Sequence, residues 1–161
     1  MDTLASFAAA IEATGFVHAM KFSPLWYSLA NTAHVLGVAL LVGAILPMDL
    51  RLLGLWRGVG REELARVLVP IAAFGLLLAV SAGLVLFSVR AGHYVGVTIF
   101  YWKLCLITLG TVLALLFHVR AGLWLESATD RQAALHGAAS LCCWLGALVA
   151  GRMIAYFPNW P

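Results

Sequence analysis

Four long apolar runs, separated by short charged stretches, set the pattern of this chain. They fall at about residues 25–48, 67–89, 98–119 and 133–157. Each reaches the roughly 20 apolar residues that a helix needs to cross a bilayer. Apolar residues follow one another within them, without the alternation of a barrel strand. Only helices and closed barrels satisfy the backbone in lipid, so the pattern predicts four transmembrane helices. A further apolar stretch, residues 3–14, is too short to span. Glu12 and Gly15 mark its end, and it predicts a helix lying at the membrane interface. The expected fold is all-α: a four-helix transmembrane bundle with a short N-terminal interfacial helix, forming one domain over residues 1–161.

Composition strengthens this picture. The chain is 63% hydrophobic and 11% charged. Soluble domains run at about 45–50% and ~25%, so there is too little polar surface here to coat a globule. Mean hydropathy is +0.98. The lipid bilayer is the expected surrounding, and the small, dispersed net charge of +3 argues against nucleic acid as a partner. The N-terminus has Asp2, no basic region and a broken apolar run, unlike a cleaved signal. Cys105, Cys142 and Cys143 lie inside apolar runs without CxxC spacing and read as small apolar fillers.

Lys and Arg give the orientation. Arg51, Arg57, Arg61 and Arg66 follow the first span, and Arg120 and Arg131 lie between the third and fourth. Lys21, Arg90, Lys103 and Arg152 belong to the other side. The bias places the first set in the cytoplasm and both termini outside, in the periplasm for a bacterial inner membrane. Trp26, Tyr27, Tyr101, Trp102, Tyr156 and Trp160 fall on one side if the helices alternate in direction, as an aromatic belt does.

Ionisable groups inside a span are costly and mark function. His118 and His136 lie nine residues either side of Ser127, in the turn between the last two spans. In an antiparallel hairpin they reach one depth, about 10–13 Å to the cytoplasmic side of mid-membrane at 1.5 Å rise per residue. Two neutral imidazoles at one level suit bis-histidine ligation of a haem iron. Small residues share their faces: Ala139, Ser140, Cys143, Ala147 and Ala150 with His136, and Gly110, Thr111 and Ala114 with His118. The alternative is ordinary small-residue packing between helices. His34 is the deepest histidine. Its candidate partner, His93, sits in AGHYVG, about 15 Å too far out by helical rise unless that segment folds inward. Met153 matches His34 better in depth, but a gap-filling core methionine is the plainer reading of it. His18 reads as interfacial. Arg152, in VAGRMIAYF, needs an anion: a haem propionate or quinone carbonyl, or lipid phosphate reached by snorkelling.

Span two supplies no ligand, only a lane of small residues: Ala72, Gly75, Ala79, Ala82 and Gly83. Asp49 and Arg51, in PMDLRLLGL, read as fixing a helix end or loop. Glu62 and Glu63 suit the start of a helix. HExxH, GxSxG, P-loop and Gly-rich nucleotide motifs are absent.

The stretches AHVLGVALLVGAILPMDLRLLGL, FYWKLCLI and WLGALVAGRMIAYF resemble a family of short bacterial membrane proteins. That family shares an H-x-L-G-x-A-L-L-x-G block, a D-L-R-L-L-G block and a terminal G-R-x-I-A-Y block. The resemblance covers about residues 24–157 and singles out His34, Asp49, Arg51, Arg152 and Tyr156 without implying a reaction. More loosely, the layout is similar to four-helix membrane cytochromes b, which implies architecture and not function.

The resulting expectation is a haem b-binding electron-transfer protein or subunit, holding one or two haems. His118 and His136 would ligate one iron; His34, with His93 or another ligand, would hold a second. Electrons would pass between the quinone pool and a protein partner in a membrane redox complex. Two other readings stand beside it: a non-redox anchor or assembly subunit, and a metal or small-solute carrier using His34 and Asp49.

Overall fold

The computed structural model describes residues 2–156. Phe157 and Trp160, expected at the end of the fourth span and in the aromatic belt, lie outside the described residues. The described chain forms seven helices and no strand: α1 (Asp2–Glu12), α2 (Gly15–Phe22), α3 (Pro24–Leu52), α4 (Arg61–Val89), α5 (Ala91–Tyr94), α6 (Thr98–Ala121) and α7 (Asp130–Tyr156). Four of them, α3, α4, α6 and α7, are long and apolar enough to cross a membrane. This is an all-α four-helix bundle of a multi-pass membrane protein. Its outward side chains are apolar, as lipid requires: Val119 is 83% exposed and Leu77 66%.

Local chemistry starts and stops these helices. Pro24 opens α3 at its first position, where its missing N–H is no loss. Glu62 and Glu63 sit in the first turn of α4, where negative charge faces the positive end of the helix dipole. Between α3 and α4, Gly54 takes a left-handed φ of 101°. Arg51 reaches back over this loop, donating from Nε to Val59 O at 2.6 Å and from a guanidinium NH2 to Arg57 O at 3.3 Å. Arg51 thus fixes a loop, as the sequence suggests. At the start of α7, Thr129 and Gln132 form a capping box: Gln132 N donates to Thr129 Oγ1 and Thr129 N donates to Gln132 Oε1. Ser127 N and Oγ both donate to Ala121 O, closing the end of α6.

The short helix expected over residues 3–14 forms as α1, and after a break around Ala13 and Thr14 a second short helix, α2, follows it. Val17 and Met20 of α2 pack on Val89. Glu12 Oε1 accepts from Gly92 N at 2.8 Å, and its other oxygen lies 3.9 Å from Lys21 Nζ. These contacts tie α1, α2 and α5 together at the end of the bundle opposite the α3–α4 and α6–α7 loops.

The bundle is built from two antiparallel hairpins. In the first, glycines let α3 and α4 touch backbone to backbone. A Cβ on Gly37 would lie 2.8 Å from Gly75 O, and one on Gly75 would lie 2.6 Å from Leu41 N. In the second, Gly110 faces Trp144 and Cys143, and Lys103 faces Gly151. That register sets residue 118 level with residue 136. The hairpins meet through α3 and α7, where Gly137 lies against Asp49 and Leu52. In space the order is therefore α4, α3, α7, α6, with α4 and α6 at the two outer positions.

Candidate functional site

A cavity of about 320 Å³ lies in the half of the bundle nearest the two loops. Its back wall is α3 and α7 and its sides are α4 and α6. Leu125 closes the loop end. That residue holds a left-handed φ of 65° and is buried against Met48, Leu52 and Ala65. The exposed members of the lining are Ala73 on α4, Leu115 on α6 and Leu123 in the loop. They rim a mouth between the two helices that the bundle leaves apart, and this mouth faces lipid.

The walls are mostly aliphatic, yet three of the lining residues each bury a polar atom without a partner: Asp49 Oδ2, His118 Nε2 and Trp144 Nε1. Among the described residues these are the buried side-chain nitrogens and oxygens that lack a hydrogen bond. Asp49 is 3% exposed and Trp144 5%. No ion pair among the described residues reaches Asp49, and Ser140 on α7 lines the same cavity. An unpaired polar group in an apolar interior costs about 1–3 kcal/mol, and a charged one more. Three such groups lie within the walls of one cavity.

His118 is held from its own helix. Nδ1 lies 2.8 Å from Ala114 O, which can only accept, so Nδ1 carries the hydrogen and donates. Nε2 is left buried with a lone pair and no partner. His136 lines the same cavity. Phe117 stacks on the His136 face, with centroids 4.0 Å apart and planes 14° from parallel. The structure thus brings His118 and His136 to one site, and fills the contact between α6 and α7 with Phe117.

The other candidates are scattered. His34 lies outside this cavity and ties two helices: its Nδ1 donates to Ala79 O at 2.7 Å, and the ring rests over Gly83. His93 is exposed on α5, edge-on to Tyr94, in a shallow depression with Glu12, Lys21 and Arg90. The segment does not fold inward, and His34 and His93 are not brought together. Arg152 is exposed; it donates to Tyr156 Oη at 3.0 Å and stacks over that ring. Met153 packs with Val97, Ile99 and Ile154. His18 is exposed beside Phe22. Among the described residues, no three His, Cys, Asp or Glu side chains cluster as a metal-ion site.

Sequence reasoning passed over Trp144, and it put Asp49 at a helix end or beside His34 rather than with His118 and His136. A signal for Asp49 exists: it lies at spacings of three to five residues from Ala44, Ile45 and Leu52, on a face of α3 that is otherwise apolar. Trp144 carries no such signal in CCWLG. Comparison with protein-family models, with curated proteins and with solved structures finds no match.

Proposed function

We propose that this protein is a membrane-embedded electron-transfer subunit that takes a lipid-soluble redox ligand from the bilayer into the cavity between α4 and α6. The observation that carries this reading is a mostly apolar cavity, open between two outer helices, whose wall includes the buried polar residues Asp49, His118, His136 and Trp144. Ligand sites of about 300–1,000 Å³ with mostly apolar walls and a few placed polar groups are the usual form of small-molecule binding. A ligand arriving through lipid explains the lateral mouth. The arginine-rich loops support a bacterial inner-membrane setting with both termini in the periplasm, so that the cavity lies in the cytoplasmic half. A protein partner would then exchange electrons with the bound ligand.

A haem b is the second reading, favoured by one observation. A ligating histidine commonly donates its other ring N–H to a carbonyl, as His118 does to Ala114. His118 would then be an axial ligand of a haem whose chemistry is one-electron transfer. The paired His118 and His136 set suits this less well. Phe117 stacks on the His136 ring and covers that face of the imidazole.

Protein purified from its own membranes decides between the readings. Organic extraction followed by mass spectrometry is expected to release a lipid-soluble ring compound at close to one per chain. Substituting Ala72, on the α4 wall, by Phe should abolish it. A Soret band lost in His118→Ala would establish the haem reading instead. A colourless protein releasing only phospholipid, equally in both forms, would refute both and leave the anchor role.

A further inference from the structure

Lys103 and Arg152 are basic residues of the spans themselves, and neither lines the cavity. Lys103 lies five residues into α6, about 7.5 Å from its start at 1.5 Å rise per residue. It is half-buried, and a lysine at that depth in lipid is costly without a counter-charge. Among the described residues no ion pair reaches Lys103 or Arg152. Asp49, Glu62, Glu63, Glu126 and Asp130 belong to the opposite end of the bundle. Glu12 is already engaged, by Gly92 N and Lys21.

The register of α6 against α7 brings the two cations to one level. Lys103 lies across α7 at Gly151, its Cε and Nζ each 3.4 Å from the place a Cβ would take there. A side chain larger than a methyl would displace the amine. Arg152 is the next residue. Its guanidinium turns toward the helix end, donating to Tyr156 Oη at 3.0 Å and resting 4.8 Å from that ring's centroid. A guanidinium carries five N–H donors and an ammonium three, so most of the donors here remain open. Tyr101 and Trp102 precede Lys103, and all three aromatic residues, Tyr156 included, are exposed. Exposed Tyr and Trp at a span's end mark the head-group level.

We infer that the seam of α6 and α7, at the end opposite the loops, binds the phosphate of an anionic phospholipid through Lys103 and Arg152. A phosphodiester supplies the acceptors that both cations lack, and basic sites between membrane helices suit such heads. The acyl chains lie along the apolar outer faces of the two helices. A zwitterionic lipid would bring its own cation to a place that already holds two; a net negative head does not. This site is separate from the cavity, and its failure would leave the redox-ligand reading untouched.

The test is native mass spectrometry of the full chain, delipidated in detergent. It is titrated with phosphatidylglycerol and phosphatidylcholine of the same acyl chains, and with inorganic phosphate. The first phosphatidylglycerol adduct should form about tenfold more tightly than the phosphatidylcholine adduct, and millimolar inorganic phosphate should not displace it. That preference should fall to about twofold or less in Lys103→Met and in Arg152→Gln, since each removes one of the two charges. It should be kept in Lys103→Arg, and in Arg90→Gln, which changes a basic residue at the same end beside α4. The lipid comparison on the unsubstituted chain stands even where a variant fails to fold. Equal affinities for the two lipids would overturn the site, as would a preference that survives both Lys103→Met and Arg152→Gln. Displacement of the lipid by inorganic phosphate would assign the two residues to free phosphate and overturn the lipid.

Discussion

The residue that most changes the reading of this chain is Asp49, a carboxyl with 3% exposure inside a membrane bundle. In sequence it sits two residues from Arg51 and reads as fixing a helix end or loop. In the structure Arg51 turns to the loop carbonyls and leaves Asp49 in the cavity wall. His34 changes in the opposite direction. Its depth marked it as a ligand; in the structure it lies apart from the cavity, and its Nδ1 bonds Ala79 O across the α3–α4 contact. Hydrogen bonds between membrane helices contribute about 0.6–2 kcal/mol. His34→Ala should therefore lower stability in detergent by about that amount. It should leave ligand binding at the cavity unchanged; a loss of binding with stability retained would return His34 to the site. The glycines supply a second test. Gly37→Ala places a methyl against Gly75 O, and overpacking of that kind costs about 1–3 kcal/mol. Gly43→Ala, six residues along α3, meets nothing within 4 Å and should be neutral in the same thermal unfolding measurement.

At the scale of elements, the loop joining α6 to α7 acts as a floor for the cavity. Arg61 of α4 donates to Ala128 O at 3.2 Å and lies 3.3 Å from the Asp130 carboxylate; Arg66 sits over the Trp124 ring. The Asp130 side chain is 99% exposed, so that ion pair contributes little, under about 1 kcal/mol. The bond to the buried Ala128 carbonyl matters more, at about 1–3 kcal/mol if lost. Hydrogen exchange at Leu125 and Ala128 should therefore quicken in Arg61→Ala and stay nearly unchanged in Asp130→Asn. Equal quickening in both would assign the loop's anchoring to the surface pair. The helices themselves were readable because span length and unbroken apolarity are local properties of the chain. The matched level of His118 and His136 was readable too, since a hairpin's register follows from its turn. Which helix lies beside which is not local. Nothing in the sequence says that α4 and α6 stand apart while α3 and α7 fill the middle. The cavity exists only because of that order, and so Asp49 and Trp144, on different hairpins, could not be joined in advance. Phe117 escaped for a related reason: a Phe among leucines signals packing, not the partner it packs on.

The whole molecule is two tight hairpins sharing a central seam, with a wedge of lipid-facing space between the outer helices at one end. Its function as proposed depends on that wedge. Filling it should separate binding from folding, because Ala72 lines the cavity without belonging to the Gly37–Gly75 contact. Ala72→Phe should retain the helical content of the parent chain and bind ligand at least tenfold more weakly, as judged by circular dichroism and titration with an alkyl quinone in nanodiscs.

The most direct measurement is photo-crosslinking in nanodiscs with a diazirine-bearing alkyl quinone, followed by peptide mapping of the adducts. Labelling concentrated on cavity residues such as Leu76, Thr111 and Ala114, and lost in Ala72→Phe, is the predicted result. Labelling spread evenly over outward residues such as Leu77, Leu84 and Leu116, with Ala72→Phe unchanged, would contradict it.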